Sequence, residues 1–561
     1  MRSLCPFPPF RPILSPSLLI LAALSGCSVL AKTPLGRIVA LAEEGEEKVL
    51  RSPMRAASDG PRVLIFALDG VAEQAFVEAL GSDALARVAE LVGSSGGDRV
   101  YAHAYLTPTA PAVLPSMTHA AWTSLLTGAP PGRSGVPGNE WFDRASRRFF
   151  APGPSSVSQT RHALEIHTDG LLGGQITTPT LYERADVRAY VALSAVHRGA
   201  DLLIVPDPTD LGDLFRAVVK GTAGGWSTRQ RVYGKIDRSG AEDFAEAVEE
   251  HGVPDLGVVY LPGIDLFTHE ADPPLAEQRR YLREVTNPAI VEVLDAYAEA
   301  RALEATWVLF VSDHGQTPVP SEERNALGTE GDAAAPQALR SAGFRVRPFS
   351  LETEEEDYQA VMAYNGFAAF VYLADRSLCA APGARCDWTA PPREEDVLGA
   401  VRAFDDAHRT GDGAAELHGA LDLILARVHA PGGESPPFSV WSGERLVSVA
   451  DYLAGNPRPD LPELERRLRD LATGPEGARA GDILLLAKAG SDRPTLDRFY
   501  FGKPFYSMHG SPSAQDGSFF WMIAHANSGG VELRDLVRRV VGERPTQLDF
   551  TPLVLELLGR R

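Results

Sequence analysis

The sequence predicts an α/β fold, a mostly parallel central sheet with helices on both faces and a large inserted cap segment. Three observations predict it. From residue 61 onward, short apolar runs alternate with helical patterns, as strands joined by crossover helices do. Several of these runs end on an acidic residue, and parallel sheets bind their ligands beyond the carboxyl ends of the strands. Over 321–496 the texture changes to an Ala-, Glu-, Pro- and Gly-rich stretch that lacks such strand ends, which reads as the insertion.

In chain order, residues 1–27 read as an export signal. Arg2 and Arg11 precede an apolar stretch, Leu18 to Leu24, too short to span a bilayer as a stable helix. It runs into Leu24-Ser25-Gly26-Cys27, which resembles the lipobox of a bacterial lipoprotein. That resemblance implies a lipid on Cys27 and a membrane-anchored protein of the periplasm or cell envelope. An ordinary cleaved secretory signal and an N-terminal anchor are the alternatives, and each still predicts export. Residues 28–60 are polar, with Glu43, Glu44, Glu46 and Glu47 in a run, and read as a flexible tether.

Residues 61–320 form the first part of the predicted catalytic domain, and 497–561 the returning part. Strands are expected at 62–68, 189–195, 202–205, 256–261 and 307–312. Helices are expected at 119–127, 210–219, 240–251, 277–300 and 533–541. Within the insertion, Cys379 and Cys386 stand seven positions apart around Pro382 and Gly383. In an oxidising compartment they read as a local disulfide, with two free thiols as the alternative.

The 561 residues allow one large domain with an insertion, or two to three domains. A hydrophobic fraction of 44% with 23% charged residues is ordinary for a globular protein. The formal charge of −20 argues against nucleic acid as a partner, because phosphate backbones are bound by clustered Lys and Arg.

The chemistry sits at the strand ends. Asp69 closes the run Arg-Val-Leu-Ile-Phe-Ala-Leu and precedes Gly70. Asp265 and His269 are spaced to share one face of a helix or tight turn. Asp313-His314-Gly315 follows Trp-Val-Leu-Phe-Val-Ser, and an ionic pair at a buried strand end is costly unless something neutralises it. His509 precedes Gly510. Three carboxylates and three imidazoles suit two transition-metal ions if a hydroxyl completes the set. Thr118 offers one at the start of a predicted helix, where free amides and the helix dipole favour an anion. A plain N-cap threonine is the alternative, and Ser116 and Thr123 are local competitors. A threonine hydroxyl is a poor nucleophile unless a metal ion lowers its pKa.

The ordered set Asp69, Thr118, Asn139, Asp265, His269, Asp313-His314-Gly and His509-Gly resembles the alkaline phosphatase superfamily, most closely its nucleotide pyrophosphatase/phosphodiesterase branch. Thr118 lies nine residues before Thr127-Gly128, and Asn139 lies 21 after Thr118, the offsets that branch shows for its nucleophile and phosphate-binding asparagine. The closing Gln-Leu-Asp-Phe-Thr-Pro-Leu-Val-Leu-Glu-Leu-Leu-Gly (547–559) is similar to the family's C-terminal helix. The match covers roughly 61–320 and 497–561.

The resemblance implies a hydrolase of small phosphate esters or nucleotide-like substrates with two zinc ions, although the ligand types leave manganese or iron open. Asp265, His269 and His509 would hold one ion, and Asp69, Asp313 and His314 the other, with Thr118 coordinated beside it. Thr118 would attack phosphorus in line to give a phospho-threonine, while Asn139 holds a non-bridging oxygen. Monoesterases of this superfamily with a threonine nucleophile often carry a Lys-x-Arg pair that grips the extra phosphate charge. In Ser194-Ala-Val-His-Arg-Gly-Ala200, Arg198 can match the arginine, but Val196 stands at the lysine position. This departure favours diesters or pyrophosphates, with phosphomonoesters as the alternative if Lys503 supplies the charge. His197 and Arg198 can equally be loop residues, and His119 reads as structural.

A sulfatase would need a Cys/Ser-x-Pro-x-Arg motif that is missing around Thr118, and a cofactor-independent phosphomutase would need a serine nucleophile. A phosphoryl-type transferase would keep the same site but carry several membrane helices. A non-catalytic surface binding protein would have lost some of the ligands.

Overall fold

The computed structural model describes residues 48–50, 53–152, 171–205, 226–328, 334–348, 357–381, 383–429 and 435–560. The expected signal, its Cys27 and the helix expected at 210–219 lie outside them. Ten strands form the central sheet, in the order Lys48–Leu50, Leu202–Ile204, Ala189–Ala192, Leu256–Leu261, Arg62–Leu68, Thr306–Ser312, Trp521–Ala524, Ala104–Leu106, Val100–Tyr101 and Ser95–Gly97. The run of five from Leu202–Ile204 to Thr306–Ser312 is parallel. Antiparallel strands extend it on both sides. Val63 to Leu68 are buried without a break, as a central parallel strand covered on both faces requires. Phe66 stacks on Phe310 of the next strand at 5.3 Å.

Strands expected at 62–68 and 256–261 form over those residues. The one expected at 189–195 stops at Ala192, because Leu193 takes a positive φ of 61°, which an extended strand cannot continue. The helix expected at 277–300 begins at Pro274 and is interrupted by a π turn, Leu282–Thr286, before Asn287–Glu299. Pro288 has no N–H to return to the preceding turn, which accounts for the break there. The helix expected at 240–251 is the end of a longer one, Trp226–His251, and the one at 533–541 begins at Gly530.

The tether expected over 28–60 is corrected for its last part. Lys48–Leu50 pairs with Leu202–Ile204 at the sheet edge. Arg55 ion-pairs with Asp201 at 2.9 Å and Asp186 at 3.0 Å, and the Ser58 hydroxyl donates to Asp255 at 2.7 Å. The polar composition that reads as a linker supplies partners for acidic residues flanking the strands.

A second, antiparallel sheet lies wholly within 321–496, in the order Ala360–Asn365, Ala368–Leu373, Ile483–Ala487, Leu421–Ala426, Ser439–Trp441 and Leu446–Ser448. Helices Ala334–Ser341 and Glu394–Thr410 share an apolar core with it. Its first two strands join through the two-residue turn Gly366-Phe367, and Gly366 has the positive φ (65°) that such a turn needs at its first position. Cys379 and Cys386 form the expected disulfide. Among the described residues, no helix is long and apolar enough to cross a membrane.

Candidate metal centre and active site

Three neighbouring strands deliver the carboxylates. Arg62–Leu68 ends at Asp69, Thr306–Ser312 ends at Asp313, and Leu256–Leu261 leads into the helix Gly263–Glu270, which carries Asp265 and His269 one turn apart. Because these strands are parallel and adjacent, their ends open on one crevice. Close approach depends on Gly70. Its φ is +66°, a Cβ there would stand 2.5 Å from Asp265 Oδ1, and its N–H donates to Asp313 Oδ1 at 3.1 Å. His509 enters from the bridge Ser507–Met508, which pairs with Thr317–Pro318.

All six side chains are buried. His314 Nε2 lies 3.2 Å from Asp313 Oδ2 and 3.6 Å from Asp69 Oδ1. His269 Nε2 lies 3.3 Å from Asp265 Oδ2, and His509 Nε2 lies 3.8 Å from Asp265 Oδ1. Two groups can each hold a cation, Asp69 with Asp313 and His314, and Asp265 with His314 and His509, the ligand atoms of each lying within 4.8 Å of one another. His314 therefore stands between the groups, stacked on His509 at 3.8 Å, and His269 joins the second through Asp265.

The imidazoles are oriented alike. Nδ1 contacts a backbone carbonyl in each, Ser507 for His269 at 2.7 Å, Gly315 for His314 at 3.0 Å and Ser116 for His509 at 2.9 Å. A carbonyl only accepts, so the proton is assigned to Nδ1 and the lone pair to Nε2, the arrangement of metal-binding histidines. Facing them, Asp69 Oδ1 and Asp313 Oδ2 are buried without a hydrogen-bond partner. Burial pushes both carboxyls well above the usual carboxylate range, and Asp313 and Asp265 beside Asp69 raise it further. Burial also raises Asp265, but His269, His509 and the Gln316 amide outweigh it and hold that group low. Burial depresses His314 to about 3 and His509 well below its ordinary value. Orphaned carboxyl oxygens of Asp69 and Asp313 facing the Nε2 lone pairs of His314 and His509 fit divalent transition-metal ions, which would replace the protons those carboxyls otherwise hold.

A pH dependence follows. With folded-state pKa values raised, Asp69 and Asp313 hold protons above about pH 4 that the unfolded chain releases. The metal-free fold therefore loses stability as pH rises through that range. A cation that replaces those protons removes the loss. The drop in Tm on chelation is expected to be larger at pH 8 than at pH 5 by thermal melts, and an equal drop would contradict metal binding at these carboxylates.

Thr118 is the first residue of the helix Thr118–Thr127, and Met117 holds the N-cap position, so its hydroxyl is not a cap. Thr118 Oγ1 lies 3.4 Å from His314 Nε2. The competing Ser116 hydroxyl is committed to Ser511 O and accepts from Gly510 N, and Thr123 is buried within the helix. Asn139 Oδ1 accepts from His119 N at 3.0 Å, which fixes the amide next to Thr118. Asn139, His269, His509 and Phe505 line a small cavity over the cluster.

Arg198 is not in this site, a correction to its reading as a phosphate grip. All five of its N–H groups are taken, by Glu183 and by the carbonyls of Gly173, Ile176 and Thr178. Val196 is buried, and His197 Nδ1 contacts Ser194 O at 3.0 Å, so this is a loop clamp. His119 is structural, buried and held neutral to about 4. Sequence reasoning missed the residues that hold these three aspartates in place. The Tyr260 hydroxyl donates to Asp69, the Gln316 amide donates to Asp265, and Gln547 Nε2 donates to Asp313 O at 2.7 Å. Only Gln316, two positions past His314, carried a usable signal.

A parallel-centred α/β sheet whose strand ends gather buried carboxylates and imidazoles able to hold metal ions defines a class, the phosphoric ester hydrolases of the alkaline phosphatase superfamily. Residues 63–367, more than half of the chain, match the family described as type I phosphodiesterase / nucleotide pyrophosphatase, and the chain belongs to that family. No curated protein matches the chain. The matched span differs from the expected one. It runs past 320 to the Gly366 turn of the second sheet, and it does not take in 497–561, where likeness was also expected.

Proposed function

We propose that this chain is a phosphodiesterase or nucleotide pyrophosphatase that works through Thr118 as nucleophile and two bound ions, zinc by donor chemistry. The observation that carries the reading is the 3.4 Å approach of Thr118 Oγ1 to His314 Nε2, the nitrogen that faces Asp69 and Asp313, at a helix N-terminus beside Asn139. Asp265, His269 and His509 would hold one ion, and Asp69, Asp313 and His314 the other. When bound, such ions lower the pKa of a hydroxyl and stabilise charge on the oxygens attached to phosphorus.

The chain's own groups then do the following. Thr118 Oγ1 gives up its proton and attacks phosphorus in line, the P–O bond to the leaving group breaks, that group departs with a proton as an alcohol or, from a pyrophosphate, as a phosphate, and a phospho-threonine forms. Water cleaves that ester and restores the hydroxyl. Asn139 offers Nδ2 to a non-bridging oxygen, its Oδ1 being occupied by His119 N. Diesters or pyrophosphates are favoured because Val196 is buried and Arg198 is fully engaged, leaving no Lys-x-Arg grip for a dianion. One observation favours a second reading, phosphomonoesters. Lys503 Nζ lies 5.0 Å over the ring of Phe505, a residue that lines the cavity together with His269.

Rates on bis-p-nitrophenyl phosphate and p-nitrophenyl phosphate, with and without chelator, separate these readings. A diester preference lost on chelation is expected. A monoester preference would favour the second reading, and indifference to chelator would end both. Export with a lipid on Cys27 belongs to the same proposal, supported by the Leu-Ser-Gly-Cys sequence and the disulfide. Mass analysis of the mature N-terminus tests it, and an unmodified chain starting at Met1 would refute it.

A further inference from the structure

The second sheet reaches the active site through its first hairpin. Asn365, the last residue of Ala360–Asn365, is wholly buried. Its Oδ1 accepts from Asn139 N at 2.7 Å and Glu140 N at 3.2 Å, and its Nδ2 donates to Glu140 O at 3.0 Å. One amide thus holds the 139–140 backbone as a neighbouring strand would. The next residues of the turn hold the metal side, where Phe367 N donates to His509 O at 3.0 Å.

Three glycines make room for this contact. A Cβ on Gly138 would stand 2.2 Å from Asn365 Oδ1, one on Gly510 2.3 Å from Asn365 O, and one on Gly366 1.9 Å from His509 O. Backbone can approach backbone this closely only where no side chain intervenes.

We propose that Asn365 is a positioning residue that sets the aim of Asn139 at the phosphate oxygen, so the second sheet fixes reaction geometry as well as bordering the site. The inference rests on the proposed role of Asn139. The Asn139 side chain is fixed at Oδ1 by His119 N, and its backbone is fixed by Asn365. Two anchors on one residue determine where Nδ2 points. Positioning to within fractions of an ångström is what separates a productive donor from a spectator.

A double-mutant cycle tests this with the full-length, metal-loaded protein and bis-p-nitrophenyl phosphate. Asn139→Ala is expected to lower kcat by about 100-fold. Asn365→Ala is expected to lower it about 10-fold with unchanged metal content, and the double variant should be no slower than Asn139→Ala alone. Asn365→Asp keeps the accepting oxygen and should recover part of the loss, which also covers the case in which the alanine variant does not fold. Losses that multiply in the double variant, or an Asn365 variant as fast as wild type, would overturn the positioning role while leaving Asn139 in place. An Asn139→Ala protein with the parent rate would instead overturn the reading of Asn139 itself.

Discussion

Thr118→Ala is expected to lower diester turnover by at least about three orders of magnitude while metal content and Tm stay near the parent values. The substitution removes a hydroxyl that caps nothing and replaces the threonine by a better helix former at the first position of its helix. Its neighbours are held independently, His314 by Gly315 O and Asn139 by His119 N, so both side chains stay in place. Thr118→Ser keeps the oxygen and should retain part of the activity. Steady-state rates with elemental analysis decide the matter, and an alanine variant keeping most of its activity would remove Thr118 from the chemistry.

His509→Ala is expected to weaken one ion's binding by about 100-fold or more, with a comparable fall in kcat/KM, and to leave the fold intact. The imidazole lies between the Ser116 carbonyl, which accepts a hydrogen bond from its Nδ1–H, and the carboxylate of Asp265. Alanine leaves a gap in the coordination set and frees the carbonyl one residue before Met117. The backbone at 509 is held separately by Phe367 N, and Gly510 N by the Ser116 hydroxyl, so the chain path survives. Metal titration followed by far-UV circular dichroism reads both effects. Occupancy equal to the parent at limiting metal would take His509 out of the ligand set.

Much of the site was legible because of how a buried parallel strand is written. Val63 to Leu68 have no solvent face, so they form a continuous apolar run, and a carboxylate directly after such a run needs a reason to be there. The same logic exposed Asp313-His314. Helix Gly263–Glu270 was legible as a spacing, since Asp265 and His269 share a face. What failed were statements about partners distant in sequence. Arg198 carries the charge expected of a phosphate grip, but nothing local reveals that Glu183 and three carbonyls consume every donor. Asn365 acts 226 positions away from Asn139, inside a segment that reads as an appendage. Tyr260 looks like an ordinary strand aromatic until Asp69 is seen against its hydroxyl. Residues 53–60 read as tether because their polar side chains find partners only in the folded sheet edge.

The central claim is that residues from four remote stretches cage two cations beside Thr118. Anomalous scattering from crystals of the zinc-loaded protein, recorded on either side of the zinc absorption edge, tests it most directly. The account predicts two peaks, one among Asp69, Asp313 and His314 next to Thr118 Oγ1, the other among Asp265, His269 and His509. An empty cluster, or ions bound only elsewhere on the protein, would contradict it.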